Sequence, residues 1–224
     1  METRVGKIIG IIEKEYPGAR TELKHGTPFQ MLVATILSAQ TTDAMVNRIT
    51  PELFKKYPGP EEFAAAQVEE IQGSIKSVNF YRNKGKNIKN LSLVLLRDFN
   101  GEVPGSLDKL VSLPGVARKT ANVVLAEAFG KAEGIVVDTH VKRLSLRLGL
   151  TEKKVPEKIE KDLIRIIPKE KWISFSMGLI LHGRKTCKAH KPLCIDCKLA
   201  SLCPYEGKTE EKPETSKQGK RGKA

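Results

Sequence analysis

The stretch Leu113-Pro114-Gly115-Val116-Ala117-Arg118-Lys119-Thr120 decides how the rest of the chain is read. Before it, Ser106 is a helix cap for a short segment ending at Ser112. After it, Ala121, Val123, Val124, Ala126 and Phe129 recur at helical spacing. Pro114 and Gly115 force a tight turn between the two helices, and the second then opens with unpaired backbone N–H groups at the positive end of its dipole. Such a helix start binds phosphate. Arg118 and Lys119 occupy its first turn, where the dipole disfavours cations. Their placement points either to a task at an anion or to ordinary solvated side chains on a helix-helix turn.

Outward from this turn the same spacing continues. Val5, Ile8, Ile9 and Ile12 form one apolar stripe, and Phe29, Leu32, Val33, Ile36 and Leu37 form another. Thr27-Pro28 reads as an N-cap and first helical residue, and Gly130 and Gly149 sit where helices end. Ile135-Val136-Val137 is the one β-branched run, but Asp138 and Thr139 follow it as good N-cap residues, so it is predicted to be a connection entering a helix through Leu148. The fold class expected is all-α, with about ten short helices.

Of the 224 residues, 39 are lysine or arginine and 26 acidic, which gives +13 and a pI near 9.6. This length makes one domain or two small ones, and the charge puts a polyanion such as nucleic acid first among partners. Aromatics are only 5%, which argues against binding chiefly by base stacking. No apolar run reaches the ~18–20 residues that span a bilayer, and the N-terminal METRVGKIIGIIEKEY is broken by charge too often for a signal segment. A soluble intracellular protein is expected. From Gly207 onward the chain has six basic and three acidic side chains and no large apolar one, so 207–224 reads as a disordered basic tail. Removing its net +3 leaves about +10 on the remainder, so the basic character belongs to the fold.

Two residues carry candidate chemistry. The positive helix end and neighbouring cations favour the neutral amine of Lys119, and only a neutral amine attacks carbon to give a Schiff base. Asp138 is placed to take up a proton or stabilise a cationic sugar centre, a role compatible with simply capping the next helix. The four cysteines, Cys187, Cys194, Cys197 and Cys203, follow C-x6-C-x2-C-x5-C. Disulfides here would close only tiny loops, whereas four thiolates in a compact loop suit a tetrahedral zinc or a four-cysteine iron–sulfur cluster. Chemistry alone favours zinc, the commoner occupant of such structural sites. His190 is read as a surface residue because four cysteines complete the set. Lys185, Lys188, Lys191 and Lys198 surround the loop, either facing phosphates or offsetting the thiolate charge.

Taken together, ILSAQTTD at 36–43, LPGVARKTANVV at 113–124, VDTHVKR at 137–143, LILHGRKTC at 179–187 and the cysteine loop resemble the helix-hairpin-helix DNA glycosylases, in particular the endonuclease III branch of base-excision repair. The resemblance spans nearly all of Met1 to Pro204. It implies a [4Fe-4S] cluster rather than zinc on the four cysteines. It also implies two helical domains flanking a DNA-binding groove: a helical barrel over 21–132 carrying the hairpin, and a discontinuous cluster domain from 1–20 and 133–206.

By the same resemblance Lys119 stands at the family's Schiff-base lysine and Asp138 at its essential aspartate. Gln40 matches the glutamine that fills the space left by an extruded nucleotide, and Phe80 falls at the wedge on the other side. Leu113, Gly115, Ala117, Arg118, Thr120 and His140 are the remaining expected DNA contacts. Asp43 resembles an acidic residue near the active-site mouth, but a helix N-terminus explains it. His182 is assigned to the core, beside Trp172.

The activity implied is a bifunctional glycosylase and AP lyase removing oxidised pyrimidines such as thymine glycol from duplex DNA, acting as a cytoplasmic, nucleoid-associated monomer. The alternatives are a mismatch-specific glycosylase, whose representatives commonly lack the lysine, and a non-catalytic DNA-binding protein of the same fold. One departure stands out. Relatives commonly read LPGVG where this chain has Ala117, which costs up to ~1 kcal/mol or weakens the contact if that position needs a positive φ or close approach of phosphate, and nothing if it already has helical φ and ψ.

Overall fold

The computed structural model describes residues 3–209, so most of the tail at 207–224 lies outside the described residues. The described residues contain eleven α-helices and two 3₁₀ turns, with no strand among them. They divide into two compact units.

The first unit holds residues 20–136 and Pro168–Ile173. Its helices are α2 (Pro28–Ser38), α3 (Asp43–Lys56), α4 (Pro60–Ala65), α5 (Val68–Ser74), α6 (Tyr81–Phe99), α7 (Leu107–Val111) and α8 (Arg118–Phe129). α2 is the central element: Phe29, Met31, Leu32, Val33, Ala34, Ile36 and Leu37 are all buried, and the helix packs against α3, α6 and α8. Thr27 caps it by accepting from the Gln30 N–H at 3.2 Å, with Pro28 as first helical residue. The long α6 covers α4 and α5 and also touches α2, while α7 packs on α8.

Ser106 is the N-cap of α7, as its sequence suggests, but its side chain makes no capping bond. Glu133 does that work, its Oε2 accepting from the Leu107 N–H at 2.9 Å. This bond ties 133–136, assigned from sequence to the cysteine-bearing part, to the hairpin-bearing unit instead.

The second unit gathers residues 3–19, Val137–Ile167 and 174–209. It contains α1 (Arg4–Glu15), α9 (Thr139–Arg147), α10 (Pro156–Ile166) and, from Ser174 on, α11 (Trp172–Lys185). Ile8 and Ile12 of α1 are fully buried, and a Cβ on Gly178 of α11 would stand 2.3 Å from Ile12 Cγ2, so the glycine is what lets these helices meet. Arg4 reaches from α1 to the carbonyls of Leu148 and Leu202, so the chain's first helix is fastened to its last segment.

Candidate active site

The turn between α7 and α8 is built as its sequence requires. Val116 N–H bonds to Leu113 O at 3.2 Å, and Gly115 at the third position has φ +78°, which with Pro114 before it gives a type II turn. Glycine is needed for a second reason: a Cβ there would lie 2.7 Å from Nδ2 and 2.8 Å from Cβ of Asn87 on α6. Ala117 is different. It is the N-cap of α8 with φ −82° and ψ 162°, an extended conformation that alanine adopts freely, so replacing the usual glycine carries no backbone strain. Ala117 offers no side-chain acceptor to the amides of the first helical turn. Arg118 and Lys119 open α8 exposed, Thr120 is half-buried, and Leu113 is buried as the anchor of the turn.

Asp138 is the N-cap of α9, and its carboxylate receives three donors. Oδ1 accepts from the backbone N–H of His140 and of Val141, both at 2.8 Å, and Oδ2 lies 2.9 Å from His140 Nδ1. Donors converging in this way stabilise negative charge on the carboxylate and fix its rotamer. The capping role and the chemical role are therefore compatible in the geometry itself. His140, expected only as a DNA contact, is here also the side chain that holds Asp138. A Cβ on Gly183 of α11 would approach His140 Cβ to 2.9 Å, so that glycine makes room for the pair.

Gln40 lies two residues beyond α2, exposed and with φ +54°. Phe80 caps α6 with φ +58° and is 60% exposed. The two loops are joined: Asn79 Nδ2 donates to Gln40 O, and Asn79 N–H donates to Thr41 Oγ1 at 3.2 Å. Asp43 opens α3 one residue after its N-cap, Thr42.

The four cysteines are free thiols that line one cavity of about 30 Å³ together with Arg147 and His182. The space exceeds the ~10–15 Å³ that a single water needs. Among the described residues, no three metal-binding side chains are drawn close enough to hold one ion. Four soft sulfur donors around one cavity fit a metal centre held by thiolates.

The loop is fixed mainly from α9 and α11. Arg143 donates to Gly183 O and Cys187 O, and Arg147 donates to Cys187 Sγ at 3.3 Å, Lys188 O at 2.8 Å and Ala189 O at 3.0 Å. The Arg147 guanidinium also lies 4.5 Å from the Tyr205 ring centre. Arg147 makes a cationic contact to a cysteine sulfur, and Arg143 holds the loop through its carbonyls. Sequence reasoning missed both arginines; their i, i+4 spacing on the helix capped by Asp138 is the signal that could have found them. Burial pushes the Cys197 thiol up, and the charge of the neighbouring Cys187, Cys194 and Cys203 pushes it the same way.

His182 is buried as expected, but not beside Trp172. Ten residues along α11 separate the two, roughly 15 Å of helix. Its Nε2 lies 3.4 Å from Cys197 Sγ and its Nδ1 3.1 Å from Tyr16 Oη. Burial lowers its pKa to about 4, so the ring is neutral and can donate to sulfur while accepting from the tyrosine. Exposed His190 makes no such contact.

A helical turn of this construction, a capped aspartate and a four-thiol loop define a class. The model of the HhH-GPD superfamily of base excision DNA repair proteins matches residues 33–169, and the chain belongs to that family. Endonuclease III of Synechocystis sp. is 53% identical over 201 residues, covering 90% of this chain and 92% of that protein. Endonuclease III of Bacillus subtilis is 51% identical, covering 88% and 90%. Among solved structures, a trapped endonuclease III–DNA covalent intermediate is 45% identical with a TM-score of 0.86, covering 91% of this chain and 97% of that one. No helix among the described residues is long and apolar enough to cross a membrane.

Proposed function

We propose that this chain is a bifunctional DNA glycosylase and AP lyase that excises oxidised pyrimidines, such as thymine glycol, from duplex DNA. What carries the proposal is the combination of an exposed lysine in the first turn of α8 with 45% identity to a chain captured covalently on DNA. The hairpin turn, through the backbone of Gly115 to Thr120 and the Arg118 side chain, grips phosphate. The damaged nucleotide leaves the stack, since a stacked base shields its C1′, and Gln40 and Phe80 occupy the opened space.

Lys119 Nζ attacks C1′ through its lone pair and its bond forms as the glycosidic bond breaks, the base leaving with the electron pair. Asp138, held by His140 and two amides, supports the positive charge that develops on the sugar. Loss of a proton from Nζ and opening of the sugar ring give the imine. Removal of a C2′ proton then expels the 3′ phosphate by β-elimination, and water hydrolyses the imine to free Lys119. Cys187, Cys194, Cys197 and Cys203 would hold a [4Fe-4S] cluster. That group supplies cross-linking of the loop, since four cysteines leave iron no open position for substrate. The enzyme works as a monomer on chromosomal DNA in the cytoplasm.

The test is borohydride trapping on a duplex with one thymine glycol, using wild type and Lys119→Gln, with undamaged duplex as control. Wild type alone should form a covalent complex, and only on damaged DNA. Trapping by Lys119→Gln would demand another nucleophile. Duplex binding with no trapping, on thymine glycol or on an abasic site, would point to a non-catalytic binding protein or a glycosylase without lyase chemistry.

A further inference from the structure

Lys84 is a buried cation on α6 with no carboxylate among its partners. It is only 6% exposed, and its Nζ donates to Leu37 O at 2.8 Å, Ala39 O at 2.7 Å and Thr41 Oγ1 at 3.2 Å. Three ammonium protons thus meet three oxygens. Two of these are carbonyls at the C-terminus of α2, which lack intrahelical partners and carry the negative end of the dipole. A glycine in the left-handed conformation commonly closes such an end. Here Ala39 is extended at φ −57° and ψ 114°, the left-handed residue is Gln40, and a lysine from another helix satisfies the carbonyls.

The third oxygen extends the contact to a second loop. Thr41 Oγ1 accepts from Lys84 and from Asn79 N–H and lies 3.5 Å from Ala39 O, while Asn79 Nδ2 returns to Gln40 O. Lys84, Thr41 and Asn79 therefore lace 39–41 to the loop ending at Phe80. What this network presents outward is Gln40 and Phe80, both non-glycine residues at positive φ and both exposed. Left-handed non-glycine residues persist where their surroundings hold them.

We propose that Lys84 is a positioning residue for base extrusion, clamping the two loops so that Gln40 and Phe80 are presented together to the duplex. This rests on the duplex-filling role assigned above to Gln40 and Phe80. Burial, which lowers the lysine to about 8, shows how much solvation the clamp gives up for its position.

The experiment compares wild type, Lys84→Met, Thr41→Val, Gln40→Ala and Phe80→Ala in three readouts: single-turnover excision of thymine glycol, fluorescence of a 2-aminopurine opposite the lesion, and borohydride trapping on a preformed abasic site. Urea unfolding checks that each variant is folded. Lys84→Met should lose about tenfold or more in excision, with the fluorescence rise diminished in parallel, while trapping on the abasic site, which needs no base removed, falls less than about threefold. Thr41→Val severs the network from its other side and should give the same pattern, which keeps the test decisive if Lys84→Met does not fold.

Loss in the two loop variants without loss in Lys84→Met or Thr41→Val would overturn the clamp and leave the role of the loops intact. Unchanged fluorescence in Gln40→Ala and Phe80→Ala would instead remove the role of the loops, and the clamp with it. An equal fall in all three readouts would reduce Lys84 to a structural residue and overturn the proposal.

Discussion

Gly115→Ala should damage the hairpin turn by two separable routes. The backbone sits at φ +78°, a conformation that costs an alanine roughly 1–2 kcal/mol. The new Cβ would also meet Asn87 Nδ2 at 2.7 Å, Cβ at 2.8 Å and Cγ at 2.9 Å. Because Asn87 Cβ is fixed to the α6 backbone, rotating the amide away relieves only part of the overlap, and overpacking of this kind costs about 1–3 kcal/mol. The sum is a loss of about 2–5 kcal/mol in urea unfolding, with weaker binding to undamaged duplex because the amides proposed to grip phosphate follow the turn.

A double-mutant cycle separates the routes. Asn87→Gly removes the obstructing atoms, so the double variant should be more stable than additivity predicts by about 1–2 kcal/mol, while the conformational part stays. Ala117→Gly is the converse control, since φ −82° gains nothing from glycine and the looser unfolded chain should cost up to ~1 kcal/mol. A Gly115→Ala loss below ~0.5 kcal/mol with no coupling to Asn87 would refute the account of the turn.

Other consequences are as direct. Gly178→Ala should lower the urea midpoint, because overlap with buried Ile12 at 2.3 Å costs ~1–3 kcal/mol and outweighs the helix propensity gained; a stabilised variant would mean that α1 is not seated on α11. Stability of wild type relative to Lys84→Met should rise between about pH 8 and pH 10.5, because there the unfolded lysine keeps a proton that the folded one has released. A flat profile across that window, with any fall only above about pH 10.5, would mean that the three oxygens hold the ammonium more strongly than burial expels it. Arg147→Met should lower the iron content and visible absorbance of the purified protein while leaving far-ultraviolet circular dichroism nearly unchanged, since the arginine holds Cys187 Sγ and two loop carbonyls; unaltered iron would assign the loop's stability to its own turns.

Helices and their ends were legible in the sequence wherever the determining contact is local. Thr27, Pro28, Asp138, Gly130 and Gly149 each act through a neighbour within a few residues, so spacing alone reveals them. The turn at Pro114-Gly115 was legible for the same reason. What stayed hidden involves partners distant in the chain. Glu133 caps α7 from 26 residues away, Lys84 closes α2 from across 47, and Arg147 finds the cysteine loop across 40. A lysine four residues into a polar helix start carries no local mark of burial. Phe80 was readable as a site only through resemblance, because exposure of a lone aromatic is decided by the loops around it.

The helix α6 ties several of these features to a single measure. Phe80 stands at its first cap, Lys84 reaches the α2 loop one turn later, and Asn87 abuts the hairpin turn after the second, seven residues and roughly 10 Å from the start. Seven residues are nearly two whole turns, so the two contact points face almost the same way. On the proposed function, the helix is a caliper whose jaws are the phosphate grip and the base probe, and its opening is set by residue count rather than by side-chain identity. Inserting one residue between them would lengthen the opening by about 1.5 Å and swing one jaw by roughly 100°. On that reading, substitutions at the jaws leave the opening unchanged, whereas any change of length between them alters both its width and its alignment.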